Sequence, residues 1–258
     1  MRRSPFLIAL VAALALAIAA TAAWAGPTVS GPNGNTQSID SQIRPKKLSK
    51  TQFTPGSLKV TTLTTSTTDP SGVPVPAVHA TIDFDRNARI YTKGLATCDP
   101  GKLQSQSTEV AERVCGKAKI GSGTAIAYLR AGKVYEVPQT VTVFNGVPQG
   151  GKPVVLLHTY GTTPLQVSLV LEGTVSNYNK EGYGPRLDLN VPLIAGGTGA
   201  LKEFSVKIEK KWSFKGVKRS FISAKCPNSK KLKARGEFTY RDGESLTALS
   251  KQSCKQAA

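Results

Sequence analysis

From Ser57 onward, large apolar residues recur at every second position in short runs broken by glycine, proline and asparagine. A period of two puts alternate side chains on opposite faces, so it predicts half-buried strands rather than helices. Leu58 and Val60 open the first run, which continues through threonines to Thr68. Asp69-Pro70-Ser71-Gly72 then predicts a turn. Val78–Phe84 predicts a second strand, and Arg86–Ala88 a reversal into Arg89–Thr92. Strands are also expected at Thr124–Leu129, Gln139–Phe144, Val154–Tyr160, Leu165–Thr174 and Leu187–Val191. Asn145-Gly146, Gly150-Gly151 and Asn179–Gly184 separate some of them. Leu232–Tyr240 and Leu246–Leu249, joined by Asp242-Gly243, close the pattern. A helical run stands out at Thr108–Cys115 (TEVAERVC), with Glu109 near its start, Gly116 just past its end, and Val110 and Val114 on one face. Many short strands and one helix predict an all-β fold. The expected architecture is an antiparallel β-sandwich of jelly-roll or immunoglobulin-like type, or a partly open barrel.

The two ends of the chain differ from this pattern. Arg2 and Arg3, the apolar run Phe6–Ala20 and Ala23-Trp24-Ala25 form a signal-peptide pattern over residues 1–25. Residues 26–56 are rich in Gly, Pro, Ser, Asn, Thr and Gln, and predict a flexible N-terminal arm. Residues 57–258 form the expected β-sandwich domain. No later stretch is apolar enough to span a membrane as a helix.

Charge narrows the picture. The formal net charge is +18. Without residues 1–25 the chain loses Arg2 and Arg3 and stands at +16 over 233 residues. Such a surface draws anionic partners. Residues 202–235 hold ten Lys and two Arg against two Glu. In this stretch Phe204, Val206, Ile208, Trp212 and Phe214 fall on one side of a period-2 strand, interrupted by Lys210. Ser205, Lys207, Glu209, Lys211, Ser213 and Lys215 fall on the other, and Lys215-Gly216 predicts a tight reversal. The expected polyanion-binding face comprises Lys207, Lys211, Lys215, Lys218, Arg219, Lys230, Lys231, Lys233 and Arg235. Trp212 and Phe214 could stack on bases, but the alternation turns them toward the core.

The four cysteines, Cys98, Cys115, Cys226 and Cys254, are even in number in a chain expected to be exported, which argues for disulfides. Three pairings are open; the local pairs Cys98–Cys115 and Cys226–Cys254 each bracket one unit. No C-x₂₋₄-C spacing suggests zinc. A short echo between CDPGKL at 98–103 and CPNSKKL at 226–232 would fit a duplicated half.

The segments IDFDRNARIYTKGLATCDPGKLQ, GGKPVVLLHTYG, PLIAGGTGALKEFSVKIEK, KRSFISAKCPN and KLKARGEFTYRDG resemble a group of uncharacterised secreted all-β proteins of actinobacteria. The resemblance runs from about Val78 to Cys254. It implies export and paired cysteines, and brings no activity, cofactor or site residue.

Other candidate chemistry is sparse. Asp83, Asp85 and Asn87 have the spacing that opens a calcium loop, but Ala88 stands where that loop needs glycine and Gly94 where it needs glutamate. His79 and His158 have no G-x-S-x-G nucleophile to serve. Gly196-Gly197-Thr198-Gly199 lacks the Lys-Ser/Thr of a phosphate loop. No cofactor, metal or catalytic residue is expected. The sequence favours a secreted, non-enzymatic protein held electrostatically to anionic envelope polymers or lipid head groups. Nucleic acid is a poor candidate partner outside the cytoplasm. The alternative is a secreted carbohydrate-active or other hydrolase on a jelly-roll-like scaffold, using Asp83 or Asp85 with Glu172 as paired carboxylates, Asp188 being the remaining mid-chain acid expected on a strand.

Overall fold

The structure, a computed structural model, describes residues 26–164 and 166–257; the expected signal peptide lies outside them. The chain begins with β1 (Val29–Ser30), β2 (Asn35–Arg44), β3 (Lys47–Ser49), β4 (Thr54–Ser66), β5 (Ala77–Asp85) and β6 (Ala88–Ile90). Helix α1 (Thr108–Cys115) leads into β7 (Lys119–Ala131), β8 (Lys133–Gln149), β9 (Lys152–Gly161), β10 (Val167–Asn177) and β11 (Tyr183–Asn190). Then come β12 (Gly199–Ile208), β13 (Lys211–Phe214), β14 (Val217–Ser220) and β15 (Ile222–Ala224). The chain closes with β16 (Lys231–Tyr240), β17 (Ser245–Ser253) and β18 (Lys255–Ala257).

The fold is all-β and antiparallel, with one α-helix among the described residues and two disulfides, Cys98–Cys115 and Cys226–Cys254. Its facing layers belong to one continuous sheet rolled on itself, in the order β1-β2-β4-β12-β7-β8-β9-β10-β11-β5-β16-β17. Eleven strands run from β2 to β17, each antiparallel to the next, so the two edges point the same way. They meet through side chains: Ser41 N donates to Ser250 Oγ (3.0 Å), Ile43 N to Gln252 Oε1 (2.5 Å), and Gln252 Nε2 to the Ile43 carbonyl (2.6 Å). The Ser250 hydroxyl and the Gln252 amide thus stand in for a backbone ladder, and the edges are protected from pairing with another chain.

The roll encloses the main core, which includes Ile39, Val60, Ile82, Phe84, Leu157, Val206 and Phe221. A cavity of about 50 Å³ among them is lined by apolar side chains. A second cluster lies outside the roll, where α1 covers β8 and β9. The helix forms where expected, its first turn capped by Ser107, whose hydroxyl accepts from Val110 N. Its buried face is Ala111 and Cys115, not Val110 and Val114; Val114 is 48 % exposed. The disulfide from Cys115 to Cys98 sets the helix rotation, and a bond from buried His158 Nε2 to the Gln106 carbonyl (3.0 Å) fixes its approach.

Residues 26–56 are not an arm. β2 pairs with β4 along its whole length and buries Ile39 and Ile43. Its buried polar side chains have partners: Thr64 Oγ1 and the Tyr240 hydroxyl both donate to Gln37 Oε1, at 2.7 and 2.9 Å. These bonds let a strand poor in apolar residues lie inside a core.

Candidate polyanion-binding end

The basic stretch is built as its alternation predicts, but it does not lie on one sheet face. In β12, Val206 and Ile208 are buried and Lys207 is exposed. After Ile208 the chain leaves the main sheet, and β13 and β14 form a separate hairpin. Its turn is Lys215-Gly216, both at positive φ (50° and 73°), the backbone expected there. Lys211, Lys215 and Lys218 are exposed, while Trp212 and Phe214 turn inward. Trp212 stacks on Tyr91 and donates Nε1–H to the Lys93 carbonyl (3.1 Å), so it is a packing residue. Arg219 lies over the Tyr91 ring, 4.9 Å from its centre.

The other expected residues separate into free and engaged groups. Lys230 and Lys231 are exposed at the start of β16. Lys207 reaches Glu209 at 2.5 Å. Lys233 donates to the Glu181 carbonyl (2.5 Å) and sits over the Tyr183 ring. Arg235 is removed from the candidate set, because its guanidinium is bonded to Asp83 Oδ2 (2.8 Å) and Glu181 Oε2 (2.5 Å). Two acids thus neutralise a residue expected to meet a ligand.

The strand registers show what gathers these residues. β4 begins, β12 and β17 finish, and β16 begins at the same end of the roll. Three segments there contain no acid: 44–53, 225–233 and 251–257. They carry four, four and two basic residues, ten in all. Short bonds tie them together. β18 pairs with β3 in parallel, Lys255 N donates to the Lys46 carbonyl (2.8 Å), and Cys226 N to the Ser49 carbonyl (2.9 Å). Cys254 N donates to the Lys230 carbonyl (2.9 Å), and Cys226–Cys254 pins two of the segments to each other. Lysine faces lysine across three ladders: Lys47 and Lys255, Lys233 and Lys251, Lys59 and Lys207. Opposed like charges destabilise a sheet. The other end of the roll is balanced, with Arg130 paired to Asp69, Lys202 to Glu136, and Asp242 and Glu244 in the β16–β17 turn. Sequence reading named the hairpin and β16 residues, assigned the basic cluster Arg44, Lys46, Lys47 and Lys50 to an arm instead of this face, and missed Lys225, Lys251 and Lys255. Their acid-free flanks were the available signal.

No known protein family, curated protein or solved structure matches the chain. The reading of this end rests on its own geometry.

The candidate carboxylates are occupied. Asp83 lies directly opposite Arg186 on one neighbouring strand and Arg235 on the other, and bonds both. Burial works against its charge, but the two guanidinium groups hold its carboxyl below the ordinary value. Burial likewise disfavours the Arg235 cation, and its bonds to Asp83, Tyr178 and Glu181 outweigh that and raise its pKa. Asp85 Oδ1 accepts from Asn87 N (2.9 Å) and Nδ2 (2.8 Å), and its Oδ2 from Lys233 N (3.2 Å), so the D-x-D-x-N spacing closes a turn. Glu172 accepts from Gln149 Nε2 (2.8 Å), and Asp188 pairs with His79 (3.1 Å). Asp83 and Asp85 are therefore committed to structural bonds and give no pair of free carboxyls across a cleft. The glycine-rich loop connects β11 to β12 and is held by Arg241 donating to the Gly197 carbonyl (3.1 Å).

Proposed function

We propose that this is an exported, non-enzymatic β-protein that attaches through its basic end to an anionic polymer or head-group surface outside the cytoplasmic membrane. The observation that carries the reading is the gathering around Cys226–Cys254 of three segments without acids, in which lysine faces lysine in two ladders, an arrangement that disfavours the sheet. A polyanion offsets that cost and releases its own counterions on binding. The two disulfides fit an oxidising compartment. No helix among the described residues is long and apolar enough to cross a membrane.

The test is retention on phosphocellulose across a salt series. The expected result is tight retention at low salt, elution as salt rises, and earlier elution of the Lys47→Glu/Lys255→Glu variant. Retention that ignores salt, or is unchanged in that variant, refutes the proposal.

A further inference from the structure

At the same end of the roll, a groove of about 380 Å³ opens between the β5–β6 turn and the β10–β11 turn. Its volume lies in the range of small-ligand sites. The floor is apolar, with Ala88, Ile90 and Pro153 among its residues. Its rim carries Arg86, Arg89, Asn177 and Asn179, all exposed, and no carboxylate lines it. Among the described residues neither arginine forms an ion pair, although Arg186 and Arg235 close by are both consumed by Asp83.

The Arg86 backbone and the Arg89 side chain are held in place. Arg86 N donates to the Gly182 carbonyl (3.1 Å). The β11 backbone runs so close that a Cβ on Gly184 would come within 2.9 Å of Arg86 Cα. Arg89 stacks on Phe53, its guanidinium carbon 4.1 Å from the ring centre, and Lys225 covers the same ring at 4.8 Å. Phe53 therefore links the groove to the lysine belt. Two forked donors suit an oxyanion, and the flanking amides suit hydroxyl groups.

We propose that this groove binds one anionic saccharide or polyol unit, its phosphate or carboxylate held by Arg86 and Arg89 and its hydroxyls by Asn177 and Asn179. The inference rests on the reading of this end as the anion-binding surface, and it gives that surface a specific subsite.

The test is calorimetric titration of the purified protein with glucose 6-phosphate, glucuronate, glucose and inorganic phosphate. The expected result is saturable binding of one or both anionic sugars, with the preferred one telling phosphate from carboxylate. In Arg86→Gln and in Arg89→Gln the dissociation constant should rise at least about tenfold, the weight of one hydrogen bond to a charged group. Both side chains are exposed, so circular dichroism should show unchanged folding; should one variant misfold, the other gives the same reading. Absence of saturable binding by either sugar overturns the proposal, as does unchanged binding in both variants. Equal binding of glucose overturns the anion assignment, and equal binding of inorganic phosphate overturns the saccharide assignment. Lys47→Glu/Lys255→Glu should leave the titration intact while weakening phosphocellulose retention, so failure of the groove and failure of the belt are read separately.

Discussion

Lys47 and Lys255 stand as direct partners in the one parallel ladder among the described residues, more than 200 positions apart in the chain. Both are exposed, and no acid lies in the segments that carry them. A sheet selected for stability alone would set opposite charges there. Lys255→Glu should therefore raise stability by about 0.2–1 kcal/mol, the usual size of a cross-strand charge effect. It should also move elution from phosphocellulose to lower salt. Thermal unfolding and salt elution on the same sample check both signs; a fall in stability would show that the lysines are not strained by each other.

The two disulfides should separate in function. Their closed loops, 17 and 28 residues apart in sequence, give about 3 and about 3.5 kcal/mol by chain entropy. Cys98→Ser/Cys115→Ser should lower stability by about that amount and leave polyanion retention unchanged, since that bond clips α1 to the outside of the roll. Cys226→Ser/Cys254→Ser should lower both, because it unpins two of the three basic segments. Urea unfolding and salt elution distinguish the two outcomes. Equal retention in both variants would remove the disulfide from the binding end.

The helix, both disulfides, the hairpin at Lys215-Gly216 and the inward turn of Trp212 were legible because each depends on residues close in sequence. β2 was not. NTQSIDSQIR offers only two large apolar side chains, and its burial depends on Thr64, Tyr240 and Ser250 answering its polar groups. The lysine belt was hidden for a related reason. Lys47 and Lys255 meet only once the chain ends pair in parallel, and local periodicity does not report that pairing. Arg235 looked free because Asp83 lies 152 positions away, and only the β5–β16 register makes them neighbours.

The Asp83 cluster is a structural knot. Its side chain is 1 % exposed between Arg186 and Arg235. Asp83→Asn would leave two partly buried guanidinium groups without their counter-charge. Breaking a buried pair from one side costs about 3–5 kcal/mol, and the outer Glu181 contact and partial exposure of the arginines place the expected loss at the lower end. Equilibrium unfolding in urea at neutral pH measures it. A loss under about 1 kcal/mol would mean that solvent screens the cluster as it does a surface pair.

Stability should fall in two stages as pH is lowered. Burial holds the His158 imidazole below its ordinary value, since charging it inside the β9–α1 packing is unfavourable. A depressed folded pKa means that the unfolded chain takes up the proton first. The stabilisation is therefore complete above about pH 6.5 and begins to be lost below it. Asp83 is depressed as well, because its bonds to Arg186 and Arg235 outweigh the effect of burial. Its contribution is present above about pH 3.9 and is lost as pH drops further. Unfolding free energy measured from pH 8 to pH 3 should decline from near 6.5 and then steepen below about 4. In His158→Gln the upper stage should vanish and the lower remain. A His158→Gln variant that keeps the decline near pH 6.5 would show that His158 does not carry it.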